Sequence, residues 1–203
     1  MTVTNTQSGT NVHEVAEEIY RINTPVMIEG AGGFSFNQYL IVDDEPLLFH
    51  TGPRKMFPLV REAVASVLPI ERLRYIAFSH VEADECGSLN EWLEAAPESV
   101  PLCGTVAATV SISDLADRPP RALADQELLL LGKHAVRWFD TPHLPHAWEC
   151  GFLMEERTLL CYVATCSRRQ ALIFRPSRSR IFLDQVRPSA TRWITSHTRR
   201  THA

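Results

Sequence analysis

The sequence predicts an α+β fold of the αββα type: two sheets packed face to face, helices outside, incomplete in the C-terminal half. Three observations point there. Strand-type and helix-type apolar patterns interleave between Val15 and Leu115, and short strands follow from Glu127 to Val163. Asp43-Asp44-Glu45 joins two apolar runs as a hairpin, so the sheets are partly antiparallel. Apolar residues make up 45% of the 203 positions, enough for one sizeable core.

Taken in order, residues 1–14 are polar and rich in Thr, Asn, Ser and Gly, and are expected to be disordered. They lack the apolar stretch of a secretory signal. Residues 15–160 are expected to form the domain. Val15–Val26 reads as a strand with Tyr20, Ile22 and Val26 on one face. Gly30, Gly32 and Gly33 read as a flexible loop; their spacing, with no Lys-Ser/Thr behind, is not that of a phosphate loop. Phe36–Val42 and Pro46–Phe49 are the hairpin strands, and His50-Thr51-Gly52-Pro53 ends the second. Met56–Leu68 carries Phe57, Val60, Val64 and Val67 at helical spacing. Leu73–Phe78 is a buried strand, Gly87–Ala95 a helix, Val100–Cys103 a strand and Thr105–Leu115 a helix. Glu127–Leu131, Ala135–Asp140, Cys150–Glu155 and Thr158–Val163 complete the strands.

No apolar run is long enough to span a bilayer. Cys86, Cys103, Cys150, Cys161 and Cys166 are odd in number and lack CxxC spacing, which argues against a disulfide framework and a structural zinc knuckle. Reduced thiols in a cytoplasmic protein are the simpler account.

The chemistry concentrates in Phe78-Ser79-His80-Val81-Glu82-Ala83-Asp84-Glu85-Cys86-Gly87, at the end of a buried strand. His80, Glu82 and Asp84 occupy alternate positions and converge if the chain curls there. One imidazole with two carboxylates makes a hard, anionic pocket suited to a first-row metal ion. Asp84 and Glu85 also suit a helix start, where carboxylates favour the helix dipole, and His80 an ordinary hydrogen-bonded histidine. A second histidine cluster, His143 and His146, lies in Asp140-Thr141-Pro142-His143-Leu144-Pro145-His146-Ala147-Trp148-Glu149, between two strands, where loops carry function.

Together these segments resemble the metallo-β-lactamase superfamily, and more closely its di-iron branch of flavodiiron and stand-alone oxygen-binding proteins. The superfamily's hydrolases carry His-x-His-x-Asp-His; this chain has Glu82 at the second position, as the di-iron branch does. A carboxylate there favours iron over zinc. The branch's next ligand is a His just over sixty residues downstream, before a Trp/Pro/acid segment; His146-Ala147-Trp148-Glu149 fits that description, which selects His146 ahead of His143. Leu48-Phe49-His50-Thr51-Gly52 resembles the superfamily's Ile-Asp-Thr-Gly strand end, with His50 in place of the Asp. Glu85 stands where the hydrolases keep a second-metal His. The resemblance implies that His80, Glu82 and His146 ligate one iron and Asp84 the other. An Asp about nineteen residues after His146 would bridge them, and a C-terminal His would complete the second iron.

The bridging Asp is missing: no acid occurs between Glu156 and Asp184. Composition breaks at the same place. Residues 1–160 hold 23 acidic and 11 basic residues, a net of −12, whereas residues 161–203 hold nine Arg and one acid, a net of +8. Codon degeneracy lets Tyr162–Arg169 spell Cys-Gly-Asp-Leu-Phe-Ser-Gln in a shifted frame, and Gly-Asp-Leu-Phe resembles the strand end that carries the bridging Asp. Residues from about Cys161 onward are therefore expected to be a frame-shifted tail. The rival is a genuine Arg-rich tail that binds nucleic acid or an anionic surface; the tail's scarcity of helix, strand and aromatic signals argues against it. His197 is the tail's candidate for the last ligand, ahead of His202, but arrives too early.

The resemblance implies binding, sensing or reduction of dioxygen or nitric oxide at iron, with electrons from a separate donor protein. A zinc- or manganese-dependent hydrolase on the same fold is the alternative, and a degenerate non-catalytic binding protein the third reading. No membrane partner is expected, and a homodimer remains open.

Overall fold

The computed structural model describes residues 1–28, 32–142 and 147–162. Its larger sheet has eight strands that neighbour one another in sequence order. β1 (Thr2–Asn5), β2 (Thr10–Ala16), β3 (Ile19–Ile28), β4 (Gly32–Ile41) and β5 (Leu47–Phe49) pair antiparallel. β6 (Tyr75–Ala77), β7 (Val100–Gly104) and β8 (Arg121–Leu123) then add in parallel. Parallel strands need crossovers, and the helices supply them. α1 (Phe57–Ala65) links β5 to β6; α2 (Ala83–Cys86) and α3 (Leu89–Ala95) link β6 to β7. A helical stretch links β7 to β8: α4 (Thr105–Ala107), a π turn at Ala108–Ile112, and α5 (Ser113–Leu115). The second sheet is an antiparallel meander of β9 (Leu128–Leu130), β10 (Ala135–Asp140), β11 (Gly151–Glu155) and β12 (Leu160–Tyr162).

Alternation along the strands builds two cores. Leu40, Leu48, Ile76 and Cys103 face the helices, where Val60, Ala63 and Val64 of α1 and Leu89, Trp92 and Leu93 of α3 meet them at i, i+3, i+4 spacing. Tyr39, Ile41, Leu47, Phe49, Ala77 and Leu102 face the other way, onto Leu129, Val136, Trp138, Leu153 and Tyr162 of the meander. The order is helix, sheet, sheet, which bears out the expected sandwich. Among the described residues, no helix covers the meander's outer face. None is long and apolar enough to cross a membrane.

Several elements differ from expectation. The segment expected to be disordered holds β1 and β2. Polar composition hid it: Thr10 is fully buried, its hydroxyl on that of Thr24, and Asn5 Oδ1 accepts the amides of Gln7 and Ser8 to close the turn. The single strand expected at Val15–Val26 is two strands that break at Glu18, which takes a positive φ of 57°. Gly32 and Gly33 begin β4 rather than a loop, pairing with Ile28 and Met27. β8 went unread because three residues are too short for a periodicity signal. The tail from residue 163 lies outside the described residues, and with it the frame-shift expectation.

Candidate metal centre

β6 ends at Ala77, and the chain turns through Phe78–Glu82 before α2 begins. Phe78 is fully buried and anchors this turn in the helix-side core. His80 follows, 2% exposed, with its Nε2 2.9 Å from Glu82 Oε2. Glu82 is the residue before α2, in extended conformation, and its side chain is 45% exposed. His80 and Glu82 therefore converge, as the alternate spacing required, and leave the carboxylate open to solvent. Asp84 and Glu85 sit in the first turn of α2. Burial, and then the Glu85 carboxylate beside it, push the Asp84 carboxyl above its ordinary range. A cation would relieve that crowding.

Glu85 is 1% exposed, and its Oε2 lies 2.5 Å from His50 Nδ1. His50 sits just past β5, where its amide donates to Ala77 O at 2.7 Å. Its φ of 65° is a left-handed value uncommon outside glycine. His50 Nε2 lies 3.2 Å from Ser79 Oγ, and Ser79 Oγ lies 2.9 Å from His80 Nδ1. Thr51 ties the same strand end to the helices: its amide donates to Glu85 O at 2.8 Å, and its carbonyl accepts the Ser88 hydroxyl at 3.0 Å.

The second segment meets the first. Gly151 N–H donates to Ser79 O at 2.8 Å, and Val81 N–H to Glu149 Oε1 at 3.0 Å. Ala147 is 2% exposed. His143, His146 and His197 lie outside the described residues.

Sequence reasoning put His80, Glu82, Asp84 and Glu85 on one turn; the structure brings His80 to Glu82 and Glu85 to His50. It assigned no role to Ser79 or Glu149, and it read His50 only as a departure from pattern. Their signals were present: a hydroxyl directly before His80, an imidazole where a carboxylate is usual, and an acid just past the second histidine cluster.

The described residues fit a metal ion in part. His80 and Glu82 offer two convergent donors, but no group of three or more His, Cys, Asp or Glu side chains that could hold a metal is gathered among the described residues. His80, Glu82 and His146 would hold one ion. Among the described residues no set for a second ion is gathered: Glu85 meets His50, and the sequence has no acid at the bridging position. Cysteine chemistry has little place here, since burial pushes the Cys86 thiol up to about 11 and that of Cys103 up to about 12.

Comparison with known proteins agrees with this fold. Residues 34–141, just over half of the chain, match the family described as ODP family beta lactamase. Rubredoxin-oxygen oxidoreductase of Megalodesulfovibrio gigas is 27% identical over 111 residues, covering 54% of this chain and 28% of the relative. Putative diflavin flavoprotein A 1 of Nostoc sp. is 26% identical over 115 residues, covering 55% and 20%. The chain thus spans less than a third of either relative's length. The Flv1 flavodiiron core of Synechocystis sp. superposes with a TM-score of 0.69 at 21% identity, covering 76% of this chain and 41% of that one. The sandwich and the family match agree: the chain belongs to the ODP family of β-lactamase-like proteins.

Proposed function

We propose that this chain takes up one ferrous ion through His80, Glu82 and His146, with Asp84 beside them, and binds dioxygen or nitric oxide there. The observation that carries the reading is the joining of the two motif segments. Glu149 Oε1 holds the Val81 amide and Ser79 O holds the Gly151 amide, so the chain that follows His146 is fixed against the turn that carries His80 and Glu82. Bound ferrous iron with open positions supplies the chemistry for binding these small molecules. The residues supply the rest. His80 and Glu82 are two donors of the kind iron accepts, Asp84 keeps the local potential negative, and Phe78 fixes the turn in the core. Electrons would come from a separate donor; the name of the Megalodesulfovibrio gigas relative pairs rubredoxin with oxygen.

The test is anaerobic reconstitution with ferrous iron, then exposure to nitric oxide and EPR. Iron retained through a desalting column, a nitric-oxide-dependent high-spin signal, and loss of both in His80→Ala support the reading. Zinc retained in place of iron, with ester or thioester turnover, replaces it with the hydrolase. Metal content and stability unchanged in His80→Ala replace it with the non-catalytic binding protein.

A further inference from the structure

Five side chains form one line of close polar contacts from the interior to the rim of the site. Glu85 Oε2 lies 2.5 Å from His50 Nδ1, and His50 Nε2 lies 3.2 Å from Ser79 Oγ. Ser79 Oγ lies 2.9 Å from His80 Nδ1, and His80 Nε2 lies 2.9 Å from Glu82 Oε2. Glu85, His50, Ser79 and His80 are all buried, and only Glu82 reaches solvent.

Such a line has a direction. The four contacts need four protons, and two imidazoles with one N–H each and one hydroxyl supply three, so one contact carries none; with Glu85 accepting, His50 presents Nδ1–H to it. His50 Nε2 then accepts from the Ser79 hydroxyl. The Ser79 oxygen is left to accept in turn, and His80 Nδ1–H donates to it. His80 Nε2 is then the acceptor left facing the Glu82 carboxylate, the one contact without a proton, where a cation can sit between the two. That is the form in which an imidazole ligates a metal, and the hydrogen bond on its other nitrogen selects it.

We propose that Ser79 and the buried His50–Glu85 pair are positioning residues for a metal ligand. They hold His80 by Nδ1–H, so that Nε2, next to Glu82, is the atom presented to a divalent cation. The proposal rests on reading His80 as a ligand. It also joins two departures from the resembled pattern, which has an acid at position 50 and an imidazole at 85. Here the imidazole is at 50 and the acid at 85, and the two touch. The positive φ of His50 fits a side chain held in place by its partners, since such a backbone persists only where the surroundings over-determine it. Ser79, His50 and Glu85 also occur in the order of a Ser–His–acid nucleophilic triad. Ser79 is 1% exposed and its oxygen is engaged by His80, so no substrate carbon reaches it.

The test uses the full chain and Zn(II), a spectroscopically silent stand-in, by competition with a chromogenic chelator. Ring nitrogen-15 NMR of the metal-free protein accompanies it. Ser79→Ala and His50→Phe are expected to weaken Zn(II) binding by about 10- to 100-fold and to shift the His80 ring nitrogens. Ser79→Thr, which keeps the hydroxyl, restores both. A merely structural Ser79 would lower the melting temperature and leave the affinity where it was. Wild-type affinity in both Ser79→Ala and His50→Phe overturns the proposal. If the wild-type chain binds no Zn(II), the ligand reading of His80 fails separately, and the NMR decides: His80 nitrogens unmoved in both variants overturn the positioning role, and moved nitrogens uphold it.

Discussion

His50 and Glu85 meet at 2.5 Å, Nδ1 to Oε2, with side chains 5% and 1% exposed. They come from different segments: His50 sits just past the strand before α1, and Glu85 lies in the first turn of α2. Their contact closes the crossover that carries the candidate ligands. A buried polar pair of this kind is costly to break and much less costly to replace as a unit. Glu85→Leu alone is expected to destabilise the fold by about 3–5 kcal/mol. The double variant His50→Leu/Glu85→Leu should recover much of that loss. A denaturant double-mutant cycle checks it; additive losses would show that the pair does not act as a unit.

Glu149 should act as a fastener between the two motif segments. Removing its acceptor leaves the Val81 amide without that partner. Glu149→Ala is expected to cost about 1 kcal/mol and to raise hydrogen exchange at Val81 and Gly151 while leaving α1 protected. Native-state exchange mass spectrometry reads this directly.

The sandwich was legible because its signals are local. Period-two alternation places Leu48 on one core and Phe49 on the other, and Val60, Ala63 and Val64 repeat at helical spacing. The turn around His80 was legible because polar residues alternate directly after an apolar strand, ahead of a helix start. Residues 1–16 were not, because Thr and Asn build their strands from ladder hydrogen bonds and buried hydroxyls rather than from apolar alternation. The relay was not legible either. Ser79 and His80 are adjacent in the chain, but His50 lies 29 residues from Ser79, and only the parallel pairing of β5 with β6 brings them together.

A second buried network sets the acid stability. His134 and Glu155 are fully buried, with Nδ1 and Oε1 3.1 Å apart, and Asp43 Oδ2 accepts the His134 amide at 2.6 Å. Burial alone would raise the Glu155 carboxyl. The Thr158 hydroxyl, the Thr158 and Arg157 amides and His134 outweigh it and hold the pKa below the ordinary 4.5. A folded pKa below the unfolded one contributes stability that is present above the unfolded value and lost as pH falls through the folded one. Melting temperature is therefore expected to hold between pH 7 and 5 and to fall below about 4.5. Glu155→Gln should melt lower at neutral pH and lose less on acidification.

Gly151 closes the contact between the meander and the site. A Cβ there would stand 1.9 Å from Trp138 Cζ2, inside a fully buried indole that cannot swing away. Gly151→Ala is expected to destabilise by about 1–3 kcal/mol, as overpacking does. Because Gly151 N–H also holds Ser79 O, metal affinity should fall with it. Thermal melting and Zn(II) competition on one sample measure both.

The number of iron atoms per chain, after anaerobic loading and desalting, tests the central claim most directly. One tightly held iron, absent in His80→Ala and in Glu82→Ala, is the result expected from a site with His80 and Glu82 in place, Glu85 on His50 and no bridging acid. Two irons per chain, or one that survives His80→Ala, would contradict it.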